Sequence, residues 1–233
     1  MNRRTAALVS AFVTFVVGIA VASVWIAKRA KHIELVQPAE PVQQQIKVQP
    51  ATAQQEQEFR LDIPKATWEP IFFEAINERA KAAKLTNLRA PLPEGDLEVR
   101  MWGGFGLTPL EGFVLKRSAG QWSATYLAGI YDGLPRSKYQ RKLPAPKSGW
   151  EGAWQRLVSL GILDLPDADS VGCRVHGFDG FSYVVETNVN KTYRTYLYDN
   201  PPYAKCDEAK RVLAISAAIS DEFALEEFKP IIE

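Results

Sequence analysis

Cysteine and histidine are scarce in this sequence, with two residues of each among 233. The cysteines, Cys173 and Cys206, are too few for a disulfide-rich scaffold, and they lack the spacing of a zinc site or a redox dithiol. One histidine, His176, lies beyond the N-terminal quarter of the chain, so histidine-dependent catalysis would rest on that residue. We therefore expect no metal site and no bound cofactor.

An excess of charge of either sign is also missing, because 28 Lys and Arg stand against 27 Asp and Glu. A dedicated nucleic-acid-binding protein needs clustered basic residues to neutralise phosphates, so we expect no nucleic-acid partner. The hydrophobic share of 46% and the charged share of 24% are ordinary for a globular domain. This composition argues against a disordered chain and against a multi-spanning membrane protein.

One long run without charge is present near the N-terminus, since residues 5–27 contain no Asp, Glu, Lys or Arg. As a helix rising about 1.5 Å per residue, this run would be about 34 Å long, enough to cross a hydrocarbon core of about 30 Å. It is flanked by basic residues: Arg3, Arg4, Lys28, Arg29 and Lys31. The sequence predicts a short tail, 1–4, and a transmembrane signal anchor, 5–27, with the lipid bilayer as a partner.

The same segment also fits a cleaved signal peptide, because Ala20, Val21 and Ala22 form a small-residue pattern before Ser23. The length of the run favours a retained anchor. Its short preceding tail is typical of an anchor that leaves the N-terminus inside, which predicts a single-pass protein with an extracytoplasmic domain, periplasmic or extracellular. The nearby Lys and Arg residues slightly favour the opposite orientation by the positive-inside rule, so a cytoplasmic domain stays an alternative.

Residues 28–59 contain many Gln and Pro and few large apolar side chains. Such a segment cannot bury enough apolar surface to offset the entropy lost on ordering, so we expect a flexible linker. Residues 60–233 then form one globular domain. At about 174 residues, it is large enough to bury roughly 70% of the surface that the unfolded chain exposes.

The domain segment has the pattern of an α+β fold. Apolar spacing predicts helices at about 68–83, between Ser148 and Gly161, and at about 206–223, and Ser148 and Glu151 have the spacing of a capping box. Strands are predicted at about 97–102, 111–117, 121–127, 181–187 and 191–198, with hairpin turns at 118–120 and 188–190. Sequential hairpins predict an antiparallel sheet of five or six strands with about three helices packed on one face.

Cys173, His176 and Asp179 bring a thiol, an imidazole and a carboxylate close together in sequence. A cysteine nucleophile needs its thiolate form, which a neighbouring histidine can produce and a carboxylate can orient. Working cysteine–histidine pairs, however, are usually assembled from distant segments. In an exported domain, two cysteines usually form a disulfide, so we favour a Cys173–Cys206 bond.

Basic residues without any acidic neighbour fill the segment between Leu134 and Trp150: Arg136, Lys138, Arg141, Lys142 and Lys147. Such a segment could bind an anionic surface, either lipid head groups or an anionic polymer of the envelope. Most charge runs are only solvated, and that interpretation stays open.

Two further groups of side chains each have a functional and a structural interpretation. Carboxylates could supply an acid and base pair for glycoside cleavage, although no spacing selects two of them: Glu111, Asp132, Asp179 and Glu186. Tyrosines around the last predicted hairpin could stack on a ligand or pack as cross-strand pairs: Tyr183, Tyr193, Tyr196, Tyr198 and Tyr203.

These patterns match no family whose function could be transferred to the chain. The leading hypothesis is a non-enzymatic, membrane-tethered domain of the cell envelope that binds an envelope protein or an anionic polymer, or has a structural role there. The alternative is a thiol-dependent hydrolase or acyl-transfer enzyme that uses Cys173, His176 and Asp179. The two hypotheses differ in whether Cys173 is oxidised or a free thiol.

Overall fold

The computed structural model describes residues 58–105, 109–129, 140–175 and 180–226. Within these ranges, the chain forms three α-helices and a seven-stranded sheet. The helices are α1 (Trp68–Ala82), α2 (Gly149–Ser159) and α3 (Asp207–Phe223). The strands are β1 (Arg60–Asp62), β2 (Leu97–Gly104), β3 (Glu111–Ser118), β4 (Gln121–Leu127), β5 (Gln140–Leu143), β6 (Ser182–Val189) and β7 (Thr192–Asp199). The predicted α+β class is confirmed.

In the part of the chain that the structure describes, no helix combines the length and the apolar character needed to cross a bilayer. The predicted anchor, 5–27, lies outside that part, as do residues 28–57 of the predicted linker.

The strands are ordered β1-β7-β6-β2-β3-β4-β5 across the sheet. In this order, every pair of neighbouring strands between β7 and β5 is antiparallel. Strand β1 pairs with β7 in parallel, with Arg60 opposite Thr192. The sequence predicted a wholly antiparallel sheet of five or six strands, so the count and the parallel pair are corrections. The two missed strands are the short edge strands β1 and β5, whose exposed, charged residues give no apolar alternation.

Helices cover both faces of the sheet, so the prediction that they pack on one face was wrong. Side chains of β2 alternate between the faces. Leu97, Val99 and Met101 belong to the apolar core that includes residues of α2 and α3, while Trp102 packs in a second core with α1. Alternate side chains of one strand therefore pack against two different helical layers. The apolar spacing within each helix could not show which face of the sheet that helix covers.

Helix α1 packs through an aromatic and aliphatic stripe on its own side of the sheet. Trp68, Phe73 and Ile76 are at most 3% exposed. They share a core with Trp102 and Val114 of the sheet. Burying a side chain of this size stabilises the fold by about 1.5–3 kcal/mol, so this contact fixes α1 against the sheet.

Polar contacts join both ends of α2 to the C-terminal end of α3. Ser148 does not cap α2 with its side chain; its Oγ donates to Glu222 Oε2 near the end of α3, at 2.9 Å. The predicted capping box is not formed: the Ser148 backbone N–H, from which Glu151 would accept a hydrogen bond in such a box, donates to Glu222 Oε2 instead, at 2.9 Å. The Asp221 carboxylate forms ion pairs with Lys147 Nζ at 2.8 Å and with Arg156 Nη1 at 2.7 Å.

The two predicted hairpin turns have different outcomes. Ala119 and Gly120 form the β3–β4 turn as expected, with positive φ angles of 47° and 76°. The β6–β7 turn is at Asn190 and Lys191, with φ angles of 50° and 58°, and not at 188–190. Asn188 belongs to β6, where its side chain is buried and donates two hydrogen bonds to backbone carbonyls.

The contacts at the end of α3 predict a pH-dependent stability. Hydrogen bonds from Lys147 and Arg156 lower the pKa of Asp221 to about 2. Burial raises the pKa of Glu222, but hydrogen bonds from Ser148 and Arg156 outweigh it and lower the pKa overall. Both carboxyls thus have folded pKa values below their unfolded values of about 4, so their stabilisation is complete above about pH 5 and is lost as the pH falls toward 2.

We expect the double variant Asp221→Asn/Glu222→Gln to be less stable than the wild type above about pH 5. The difference in the free energy of unfolding should shrink steadily toward pH 2, as measured by urea denaturation at low ionic strength. A difference that stays constant between these pH values would contradict the role given to the two carboxylates.

Gly112, in β3, lies against a side chain of the core beneath α1, so we expect a larger residue at this position to cause a steric clash. A Cβ atom at this position would lie 2.7 Å from two ring carbons of Trp102, which is fully buried. We expect Gly112→Ala to destabilise the domain by about 1–3 kcal/mol in urea denaturation, because the ring has no space to move into. Ser123→Ala, at an exposed position in β4, is the control and should change stability by less than about 0.5 kcal/mol.

Candidate functional site

One end of the sheet brings the two cysteines together. Strand β7 ends there, strand β6 begins there, Cys173 precedes β6 and Cys206 directly precedes α3. The two cysteines form a disulfide, as predicted, with a Cα–Cα distance of 5.9 Å. Cys173 is 5% exposed and packs in the core shared with α2 and α3. The bond therefore ties the segment before the last hairpin to the start of the last helix.

The disulfide determines what sulfur chemistry is open to this end of the domain. A nucleophile or metal ligand must be a thiolate, and both sulfurs are bonded to each other here. Glu208 lies beside them, with its carboxylate oxygen and both sulfurs within 4.8 Å of one another. His176 and Asp179 lie outside the described residues, so the alternative Cys173–His176–Asp179 arrangement stays a hypothesis.

The described basic residues of the predicted anionic-surface site do not share one environment. Lys147 forms an ion pair with Asp221. Arg141 and Lys142 are adjacent in β5 and therefore point to opposite faces of the sheet, and the Arg141 guanidinium lies 5.1 Å from the ring centre of Tyr126. Arg136 and Lys138 lie outside the described residues. Binding of an anionic surface by this segment stays a prediction.

The pleat of the sheet separates the two described carboxylates of the proposed acid and base pair. Glu111 accepts a hydrogen bond from Tyr126 in the layer of α2 and α3, whereas Glu186 accepts one from Trp102 in the layer of α1. Two carboxylates on opposite faces cannot act on one glycosidic bond. Asp132 and Asp179 lie outside the described residues.

The tyrosines of the last hairpin are structural in the main. Tyr183, Tyr193, Tyr196 and Tyr198 are at most 2% exposed, whereas Tyr203 is 63% exposed. The Tyr196 and Tyr198 hydroxyls donate to the carbonyls of Ile162 and Pro166 at 3.0 and 2.8 Å. They thereby hold the segment after α2 against β7, and no stacking surface forms from these four rings.

A group of buried polar side chains lies beneath the loop that follows α1. We call it the buried polar cluster: Arg89, Glu98, Arg100, Trp102, Glu186 and Tyr193. Arg100 Nε donates to Glu98 Oε1 at 2.7 Å, and its Nη2 donates to the carbonyl of Thr86 at 2.7 Å. Both side chains are at most 3% exposed. A buried ion pair of this kind is stable only when further hydrogen bonds satisfy its remaining atoms, and the loop carbonyl provides one of them.

Glu186 is held by two donors from neighbouring strands. Trp102 Nε1 donates to its Oε2 at 2.7 Å, and the Tyr193 hydroxyl donates to its Oε1 at 3.0 Å. Burial raises the pKa of Tyr193, and the nearby Glu186 raises it further, so the hydroxyl keeps its proton. Arg89 Nε in turn donates to the Tyr193 oxygen at 3.3 Å. The carboxylate is thus oriented by a chain of hydrogen bonds that begins on the loop.

The charges around the buried polar cluster balance. Arg89 pairs with Glu69 at 2.5 Å, and Lys116 approaches Glu98 at 3.7 Å. Three basic side chains, those of Arg89, Arg100 and Lys116, therefore face three carboxylates, those of Glu69, Glu98 and Glu186. This balance allows Glu98, Arg100 and Glu186 to be buried without an external counterion, because the three other charged side chains surround them at partly exposed positions.

A cavity of about 480 Å³ lies over the buried polar cluster. Arg100 and Glu186 reach it from the sheet, and Lys81 and Lys84 reach it from the C-terminal end of α1. Its remaining lining comes from α1 and the loop: Asn77, Ala80, Leu85, Thr86, Asn87, Leu88 and Arg89. We take this cavity as the candidate binding site, because it combines a defined volume with buried charges.

Sequence reasoning missed this site because Glu98 and Arg100 look like the solvent-facing half of an amphipathic strand. The loop that covers them follows α1, and in sequence it has no feature of a binding motif. A usable signal was the pairing of two opposite charges, two residues apart, in a strand whose other residues are apolar or aromatic. Such pairs usually face solvent, so the signal identifies a site only once the loop is placed.

The polarity of the cluster can be tested with an isosteric change. In Glu186→Gln, an NH2 group replaces one acceptor, so either Trp102 or Tyr193 would meet a donor. We expect a loss of about 1–3 kcal/mol in the free energy of unfolding, measured with urea, because a buried donor loses its partner. Glu74→Gln, on the exposed side of α1, is the matched control and should stay near the wild type. Equal stability of both variants would show that the donors do not depend on the carboxylate.

No protein-family model matches the sequence, and the search of curated proteins gives no match. The function of the site must therefore be argued from its own geometry.

Proposed function

We propose that this chain is a single-pass membrane protein whose extracytoplasmic domain binds a component of the cell envelope without catalysing a reaction. The predicted anchor, 5–27, supplies attachment to the bilayer. The linker, 28–59, gives the domain freedom to reach an envelope protein or an anionic polymer. The observation that carries the proposal is the Cys173–Cys206 disulfide, since such bonds persist in oxidising compartments and are rare in the cytosol.

Binding is favoured over catalysis by the state of the reactive groups in the described residues. Both sulfurs are oxidised, and Glu186 is held by neutral donors in a charge-balanced cluster. Glu111 and Glu186 lie in different layers of the fold and cannot form a catalytic pair. A general acid and base would need carboxyl groups poised around one reacting bond, which these two are not.

We expect the cysteines of the protein taken from native membranes to alkylate only after reduction. Alkylation must be done in denaturant, because Cys173 is 5% exposed and would resist the reagent in the folded state even as a free thiol. Intact mass then reports the number of labels and the N-terminus in one measurement. A mass that includes residue 1 supports the retained anchor, and a mass that starts at Ser23 indicates a cleaved signal peptide.

The variant Cys206→Ser is the control for labelling, since it leaves Cys173 as a single thiol that must take one label without reduction. Protease treatment of cells whose outer envelope has been opened, with the anchoring membrane intact, tests the orientation, and digestion of the domain is expected. If Cys173 of the wild type takes a label without reduction, the proposal fails. The thiol-dependent hydrolase or acyl-transfer hypothesis then has to be tested through the effect of His176→Ala on the alkylation rate of Cys173 in the folded protein, because denaturant removes any influence of the imidazole.

A further inference from the structure

We propose that the cavity at the C-terminal end of α1 binds a sugar-sized molecule that carries one carboxylate or phosphate group. This inference deepens the proposed function and rests on it, because it names the ligand class of the binding domain. It is carried by the juxtaposition of two lysines at the mouth of the cavity with a buried, hydrogen-bonded carboxylate and guanidinium at its floor.

The size and lining of the cavity suit a small polar ring. About 480 Å³ lies within the range of roughly 300–1,000 Å³ found for small-molecule sites. Leu85 offers apolar contact, while the side chains of Asn77 and Asn87 offer hydrogen-bond donors and acceptors. A sugar ring presents the same combination, with apolar faces and hydroxyl groups at its edge.

The charge at the mouth of the cavity favours an anionic group. The basic side chains beneath it are matched by Glu69, Glu98 and Glu186, so they add no net charge. Lys81 and Lys84 are both exposed, and neither belongs to an ion pair among the residues that the structure describes. The net positive charge of the site therefore lies at its mouth, where a carboxylate or phosphate would meet two ammonium groups.

Glu186 lies at the floor of the cavity, where it is 3% exposed and keeps acceptor positions that its protein partners do not fill. A carboxylate has about four lone-pair positions, and Trp102 and Tyr193 use one on each oxygen of Glu186. The hydrogen bonds that fix Glu186 also fix the direction of its remaining acceptor positions. The floor has no net charge to attract a second anionic group, so the charged group of the ligand is expected at the mouth.

The backbone at Lys84 gives an independent reason to assign this residue a role. Lys84 has a φ angle of 57°, and the Leu85 amide donates to the Ala80 carbonyl at 2.9 Å, which closes α1 in the way that usually requires glycine. A lysine is strained in this conformation. Its charge also favours the C-terminal end of a helix, so a purely structural role is the competing explanation. The two roles predict different properties for Lys84→Gly.

Isothermal titration calorimetry on the full chain in a non-ionic detergent tests the ligand class. The probes are D-glucuronate and D-glucose 6-phosphate, with D-glucose as the uncharged counterpart and inorganic phosphate as the anion without a ring. We expect both anionic sugars to bind about tenfold or more tightly than either D-glucose or inorganic phosphate, with weaker binding at high salt. The inference is overturned if D-glucose or inorganic phosphate binds as tightly as the anionic sugars, or if none of the probes binds.

Variants at the mouth separate binding from structure. Lys81→Gln and Lys84→Gly should each weaken binding of D-glucuronate about tenfold, and Lys84→Gly should also raise Tm by about 2 °C because the strain is relieved. Lys191→Gly is the matched control: Lys191 has a φ angle of 58° in the β6–β7 turn and does not line the cavity. It should raise Tm without changing affinity. If Lys84→Gly behaves as Lys191→Gly does, Lys84 is structural and the inference fails.

One further probe distinguishes the source of the ligand. Methyl β-D-glucuronide is blocked at the carbon that links a sugar into a polymer. Binding as tight as that of D-glucuronate supports a unit of an envelope polymer, and much weaker binding supports the free sugar acid. The thiol and orientation measurements do not depend on these titrations. If no ligand binds, the proposal of a tethered extracytoplasmic domain is still tested by those measurements.

Discussion

The fold depends on the two-residue alternation of the central strand β2. Leu97, Val99 and Met101 point into the core of α2 and α3, and Trp102 points into the core of α1. Between them, Glu98 and Arg100 are buried as well, at 2% exposure each. A one-residue shift of this strand would place charges in the first core and aliphatic side chains against the loop. The pairing of β2 with β3 and β6 therefore sets the positions of both helical layers and of the polar cluster.

The two layers are stabilised by different interactions. On the side of α2 and α3, a large apolar core is closed by the Cys173–Cys206 bond and by the contacts of Asp221 and Glu222 with α2. On the side of α1, the apolar core is smaller, and the area that the helix leaves uncovered is filled by charges that pair with one another. The second layer has the smaller apolar core, and it is the layer that contains the candidate cavity.

This division gives a physical reason to look for binding beside α1. Buried polar networks contribute less to stability than a packed apolar core of the same volume, but they fix side chains in direction. Glu186 is held by donors from two strands, and Arg100 is held by Glu98 and the loop carbonyl of Thr86. A site built in this way is ordered before a ligand arrives, which lowers the entropy lost on binding.

The sequence by itself determined the α+β class, three helices and five strands to within about two residues, and the cysteine pair, because these follow from local apolar periodicity and from residue scarcity. Tertiary structure alone decided which face each helix covers, where β1 and β5 join the sheet, and that Ser148 bonds to Glu222 instead of capping its own helix. It also decided that Glu98 and Arg100 are buried. Each of these outcomes depends on a partner distant in sequence, and local spacing carries no information about such partners.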